Sequence, residues 1–270
     1  MKNKLTLLSS LLVLFLFSCS ATQNKKKTTN GNKTATVATD TKKPEGKKEP
    51  KPYKKVIDST AVTQKGLVDV HKVGDKYLFE IADSLIGKEI MTITRYSKTP
   101  AGGGIFGGEE VNRQVIKFEK GLNHNILVRS VTYVITTPDE DKPITKAVKN
   151  SSADPIIGNY EVLAYKKDVS GKENVGYVID MTSAFDSDLQ TFSLGSIDKQ
   201  LLKIQAFQKD RSFIQSIKSF PINTEIRTVK TFTTVPRQIS LSPTPRIGTD
   251  LPAGLDAGVV TFEFNTSMIL

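Results

Sequence analysis

Residues 68–82 read VDVHKVGDKYLFEIA and carry a period of two on both sides of a turn. Val68 and Val70 alternate with Asp69 and His71. After Val73-Gly74-Asp75-Lys76, the residues Tyr77, Phe79 and Ile81 alternate with Leu78 and Glu80. Successive side chains of a strand point to opposite faces, so this alternation predicts two strands rather than a helix. Gly74-Asp75 supplies the positive φ that a tight hairpin turn needs.

The same period continues outward. Met91 and Ile93 alternate with Thr92 and Thr94, Ile116 and Phe118 flank Lys117, and Leu127 to Ile135 is a β-branched run. Tyr160-Val162-Ala164, Tyr177-Ile179-Met181, Ile226 to Thr234 and Val260-Phe262-Phe264 extend the pattern. Helical spacing is confined to short pieces such as Ser212 to Ser219, where Phe213, Ile214 and Ile217 recur ahead of Pro221. Parallel βαβ units would require a dozen-residue helix between strands, and none is evident. The expected fold is mainly β, with antiparallel sheets packed as a sandwich or open barrel and a few short helices. The Gly-rich stretch 100–108 reads as a linker between a small β domain (53–99) and a larger one (109–270). The last strand-like run, Val259 to Leu270, stops at Met268-Ile269-Leu270 with no polar tail. An uncapped apolar strand leaves an adhesive edge, so the larger domain is expected to be truncated and the chain to be a fragment of a longer protein.

Charge separates the chain into parts. The formal net charge is +10 over 270 residues. Lys2 and Lys4 supply two positive charges. Eleven lysines against Asp40, Glu45 and Glu49 supply eight more within residues 22–55, and residues 56–270 hold 25 basic and 25 acidic side chains. The folded body is therefore neutral. A nucleic-acid-binding domain carries its basic surplus on the domain itself, because phosphate neutralisation supplies most of the affinity. Nucleic acid is excluded as the expected partner.

Residues 1–19 read as a signal peptide. Lys2 and Lys4 precede the apolar run Leu5 to Phe17, about 13 residues where spanning a bilayer takes about 20. Leu16-Phe17-Ser18-Cys19 resembles a bacterial lipobox, with an aliphatic residue three before the cysteine and a small one just before it; Phe17 is bulkier than usual for its place. Small Ser18 admits the peptidase to the bond before Cys19, the cleavage site, and the Cys19 thiol is the group that becomes a thioether to diacylglyceride. Cys19 is the sole cysteine, so it has no disulfide partner within the chain, and lipidation accounts for it. By resemblance to bacterial lipoproteins, Ser20 in place of Asp implies transit to the outer membrane, hence a lipid-anchored location in the cell envelope. Residues 20–52 are rich in Lys, Thr, Asn, Gly and Pro. Such a segment cannot offset its ordering entropy and reads as a disordered Lys/Pro-rich tether. Its lysines could also adhere to anionic head groups, though a solvated stalk is the favoured reading.

Catalytic patterns are sparse. His71 and His124 are the two histidines, and neither has a metal-binding spacing. His71 reads as a surface or hairpin residue, and His124, between Asn123 and Asn125, as a turn residue. Gly102-Gly103-Gly104-Ile105-Phe106-Gly107 matches G-x-G-x-x-G formally. It leads into Glu109-Glu110 and a strand, however, rather than a helix N-terminus that would face phosphate. Asp139-Glu140-Asp141 and Asp186-Ser187-Asp188 lack the loop length and terminal Glu of a calcium-binding EF-hand. No G-x-S-x-G marks a nucleophile. No catalytic residue, metal ligand or cofactor is expected within this chain.

Several segments together resemble one family: Val70 to Tyr77, Asp83 to Ile90, Val111 to Glu119, Ala147 to Asn150 with Asp154 to Ile157, Asp210 to Ile214, Val229 to Thr231 and Asn265 to Met268. They are similar to the N-terminal region of large bacterial zinc-dependent metalloproteases of the met-zincin type. In those proteins a signal, a small domain of unknown function and a larger one precede the protease domain. The resemblance covers roughly Tyr53 to Leu270. It implies a parent that hydrolyses peptide bonds and holds zinc through a His-Glu-x-x-His-type helix in its downstream domain. No position here matches that helix. The resemblance thus implies a non-catalytic β-region that supports or frames the downstream protease domain of the same polypeptide, with the membrane as its other partner through the lipid anchor. The alternative is a free-standing envelope lipoprotein that binds a protein or glycan ligand. A body that is itself an enzyme is the weakest of the three readings.

Overall fold

The computed structural model describes residues 49–100, 105–133, 142–171, 174–235 and 258–270. Eleven strands lie in one sheet: β1 (Val62–Gln64), β2 (Asp69–Val73), β3 (Lys76–Ala82), β4 (Glu89–Lys98), β5 (Glu110–Lys120), β6 (Asn125–Ser130), β7 (Ile156–Lys166), β8 (Gly176–Asp180), β9 (Ile204–Ser219), β10 (Asn223–Thr234) and β11 (Val259–Ile269). Four short helices accompany them: α1 (Tyr53–Val56), α2 (Pro143–Ser151), α3 (Thr182–Phe185) and α4 (Ser196–Leu201). The expected β2–β3 hairpin forms, with Gly74 at a φ of 58°. Every neighbouring pair is antiparallel, in the order β1-β2-β3-β8-β7-β6-β5-β4-β11-β10-β9. The sheet curls until its two edges nearly meet, an almost closed barrel.

The strands of the two β units expected at 53–99 and 109–270 share this sheet. β3 pairs with β8, and β4 lies between β5 and β11. The glycine-rich stretch, where described, turns the chain from β4 into the adjacent β5, with Gly108 at a φ of 94°.

The helix suggested over Ser212 to Ser219 is instead the C-terminal half of β9. Ser216 pairs with Arg227 but Ile214 with Thr228, so Gln215 is an extra residue in the ladder. This bulge turns Ile214 and Ile217 to the same side and imitates helical spacing. β4 also departs from a simple reading, because Thr92 and Thr94 are buried in phase with Ile90 and Tyr96, while Ile93 in the opposite phase is buried as well. The Thr94 and Thr266 hydroxyls satisfy each other at 2.8 Å.

Inward-facing side chains build the core, and the chain between β8 and β9 fills what the strands leave. Phe79, Ile81, Ile90, Ile116, Phe118, Val162 and Ile179 gather around Met181, Ala184, Phe185 and Phe192 of that connection. Its Leu194 and Leu202 enter a second cluster with Tyr96, Phe232, Phe262 and Phe264. Phe185 bridges sheet and plug, its ring centroid 5.5 Å from that of Phe79 and 4.8 Å from that of Phe192.

Lys230 fastens this plug. In β10 the residues Ile226, Thr228, Lys230 and Phe232 alternate inward, and Lys230 faces Phe262 with no exposed surface. Its Nζ donates to the carbonyls of Ser187 at 2.7 Å and Phe192 at 2.6 Å. Burial drives the Lys230 pKa below its ordinary value to about 7, despite the attraction of Asp188 and Asp186; Lys199 and Lys209 push the same way as burial. The folded state thus releases this proton near pH 7, while an unfolded lysine holds it to about pH 10.4. The unfolded chain binds more protons in between, so this group makes stability rise with pH across that window. Urea unfolding should show the gap between wild type and Lys230→Met growing from about pH 7 to about pH 9, by up to about 1.4 kcal/mol per unit; a flat difference would refute the assignment.

The two edges of the sheet meet at the β1–β2 and β9–β10 turns. Leu67 N–H donates to the Phe220 carbonyl at 2.6 Å, bringing the β1–β2 turn onto the β9–β10 turn. A Cβ on Gly66 would lie 2.5 Å from the Phe220 nitrogen and 2.6 Å from its oxygen. Backbone cannot yield as a flexible side chain can. Gly66→Ala is therefore expected to lower the unfolding free energy by about 2 kcal/mol in urea titrations, and a neutral result would show that the two turns part freely.

Candidate functional site

The outer face of β2, β3, β8 and β7 is covered where the chain enters the fold. Lys51 N–H donates to the Leu163 carbonyl at 2.8 Å. Tyr53, Val56 and Ile57 then pack on Leu78, Ala164 and Val178. Under this cover lies Glu80, 5 % exposed. Its carboxylate accepts from the Tyr53 hydroxyl at 2.5 Å, from His71 Nε2 at 3.3 Å and from the Lys166 ammonium. His71 is itself buried, and its Nδ1 meets Thr63 Oγ1 at 2.8 Å. Burial alone would raise the Glu80 pKa, but the hydrogen bonds from His71, Lys166 and Tyr53 outweigh it and hold the group down at about 2. Burial, with the hydrogen bond to Glu80, raises the Tyr53 hydroxyl well above its ordinary value.

Thr63, His71 and Glu80 stand in the order of a nucleophile, a base and an acid. The third member, however, is already saturated by Tyr53 and Lys166. A triad carboxylate serves to orient its histidine, whereas this one is shared with the Tyr53 hydroxyl and the Lys166 ammonium. The cluster acts chemically as a clamp that fixes the Tyr53 ring and the Lys166 ammonium.

Those two side chains form part of a cleft of about 590 Å³. Lys51 and Lys54 line it from the entering chain, with Pro50 and Pro52. Lys166 and Lys167 line it from the end of β7, with Tyr165. The Tyr165 hydroxyl bonds His124 Nδ1 at 2.8 Å, and its ring packs edge-on against Tyr177. The cleft is lined by lysines and aromatic rings.

Residues 108–270 match the family described as Domain of unknown function (DUF5117), more than half of the chain. The chain belongs to the DUF5117 family. Residues 50–99 match a second family, Domain of unknown function (DUF5118). No curated protein and no solved structure matches. The cleft draws on both parts: Lys51 and Tyr53 fall in the DUF5118 match, while Tyr165 and Lys166 fall in the DUF5117 match. The boundary between the two matches falls at the β4–β5 connection, inside the shared sheet.

The residues singled out in the sequence are scattered in this DUF5117 protein. Ser18 and Cys19, Gly102 to Gly104 and Asp139 to Asp141 lie outside the described residues. His71, expected as a surface or hairpin residue, lies in the β2–β3 hairpin and is not at the surface: it is 3 % exposed, because α1 and the entering chain cover its face of the sheet. His124 sits in the β5–β6 turn at a φ of 60°, next to Asn123 at 58°. Asp186 pairs with Lys209, and Asp188 with Lys199 at 2.6 Å, so both acids hold the plug that Lys230 fastens. Among the described residues no group of three or more His, Cys, Asp or Glu could hold a metal ion. Glu80 and Lys166 went unnoticed in the sequence. A carboxylate in the outward phase of a strand that is apolar on both faces was the available signal.

Glu80 reports on the integrity of this cover. Its pKa is depressed in the folded state, so its contribution is present above the unfolded value of about 4.3 and is lost as pH falls towards about 2. Wild type should lose stability across that acid range, and Glu80→Gln should lose less. At neutral pH, Glu80→Ala should cost about 2 kcal/mol in denaturant titrations, because it leaves buried His71 and half-buried Tyr53 without their acceptor.

Proposed function

We propose that this chain is the non-catalytic N-terminal β-region of a membrane-anchored zinc metallopeptidase, tethered through a lipidated Cys19 and framing a protease domain further along the polypeptide. The observation that carries this reading is the order of the two family matches, 50–99 followed by 108–270. That order stands behind a leader with Leu16-Phe17-Ser18-Cys19 and parallels the arrangement of the met-zincin-type proteases that the chain resembles. Zinc would belong to the protease domain, since the described residues offer no ligand group for it. The role of the β-region would be mechanical: a barrel with a filled interior gives a rigid base from which a neighbouring domain can be positioned. The cleft beside Tyr53 favours a second reading, a free-standing envelope lipoprotein that captures a ligand there.

Two measurements separate these readings. Sequencing the reading frame past the Leu270 codon should reveal a His-Glu-x-x-His motif, and a stop codon or a frame without a zinc motif would overturn the peptidase assignment. Anchoring is tested independently. The mature protein should carry lipid mass and sediment with membranes, and Cys19→Ser should shift most of it to the soluble fraction. Membrane retention by that variant would defeat the anchor.

A further inference from the structure

We infer that the β9–β10 turn, Phe220-Pro221-Ile222, is the docking surface for the stretch of polypeptide that follows Leu270, resting on the reading in which the chain continues into a protease domain. All three residues of the turn are exposed, Phe220 by 45 % and Ile222 by 69 %. Hairpin tips are ordinarily polar or glycine-rich, as Gly74-Asp75 is between β2 and β3. Single apolar residues on a surface need no explanation, whereas three in succession at a tip present adhesive surface that folding alone would not select.

The turn is rigid. Phe220 N–H donates to the Asn223 carbonyl at 2.7 Å, and Asn223 N–H donates back to the Phe220 carbonyl at 3.3 Å. The same Phe220 carbonyl accepts from Leu67, and Gly66 lies against its backbone. The apolar side chains are thus held in place before any partner arrives, which lowers the ordering cost of docking. Beside them a depression of about 310 Å³ is lined by Phe220, Ser216, Lys218, Glu225, Arg227 and Asn265. Glu225 is held there by hydrogen bonds from Asn223, Asn265 and Ser267. An apolar centre with a polar margin is the anatomy of a contact between protein surfaces.

The path of the chain selects the occupant. β11 pairs with β10 as far as Ile269 opposite Asn223, and Leu270 N–H donates to the Ile222 carbonyl at 3.3 Å. Residues that follow Leu270 therefore start within reach of Ile222. Three exposed side chains fall well short of the roughly 1,200 Å² that free partners bury in a stable complex. A segment joined to the same chain needs far less, because a short connection holds it at an effective concentration on the order of mM. The size of the patch thus fits a tethered neighbour better than a second copy or a separate protein. Once docked, that segment sets the direction in which the next domain leaves the barrel.

The test uses the polypeptide as encoded, carrying Cys19→Ser together with either Ile222→Cys or Val169→Cys; Val169 is fully exposed in the β7–β8 connection. Reaction with a maleimide is followed by mass spectrometry of the peptide that holds the new thiol, in buffer and in denaturant. Relative to its own rate in denaturant, the thiol at position 222 is expected to react at least about tenfold more slowly than the one at 169. In the chain that ends at Leu270 this difference is expected to disappear. Equal reactivity of the two thiols in a longer polypeptide would overturn the docking and leave the peptidase reading intact. A stop codon after Leu270 would remove both together. Protection at 222 that persists in the chain ending at Leu270 and grows with its concentration would assign the turn to self-association, and would likewise overturn the docking.

Discussion

A sheet of eleven strands curled almost into a barrel encloses more room than its own side chains fill, and an empty interior is unstable because lining atoms lose their packing partners. Here the connection between β8 and β9 enters that space, bringing Phe185, Phe192 and Leu194 into the core. The insertion brings backbone carbonyls into an apolar interior, where unpaired polar groups are costly. Lys230 answers this by reaching from the wall to two of them. The strands, the plug and the amine are thus interdependent. Remove the amine and two carbonyls lose their partner; remove the plug and the strands face a void.

The outside of the sheet repeats the logic with opposite charge. Glu80 stands on a face that would be solvated if the entering chain did not fold back over it. Once covered, its charge needs donors, and Tyr53, His71 and Lys166 supply them. The clamp has a consequence at the surface, because the side chains that neutralise a buried carboxylate are also walls of the adjoining cleft. The buried clamp and the wall of the cleft draw on the same few side chains. The two family matches meet here as well, which explains why the cleft cannot be assigned to either alone.

Much of the architecture was legible because alternation is a local property. The hairpin in residues 68–82 and the runs in β7, β8, β10 and β11 carry their period openly. What was not legible depended on distant partners. Gln215 hides β9 because a single extra residue changes two-residue spacing into three. Thr94 is buried despite its hydroxyl because that of Thr266, 172 positions further on, lies opposite it. His71 reads as a surface or hairpin residue, and only α1, laid across the hairpin, shows that it is buried. Lys166 lies 86 positions from Glu80, so nothing nearby marks either as part of a cluster. Lys230 is the exception: Ile226, Thr228, Lys230 and Phe232 share one phase, and a charge in such a phase was a visible anomaly.

An almost closed barrel differs from a closed one in leaving a selvedge. Among the described residues β9 pairs only with β10, so a strand of sixteen residues keeps a free row of donors and acceptors along its outer side. Such a row invites cross-linking between molecules into fibrils. Lys209, Asp210 and Arg211 stand exposed at its middle, and the irregular register with β10 twists the row out of line. The bulge that gives this strand its helix-like spacing therefore has a second effect: it bends the free row away from the straight line along which another strand would pair.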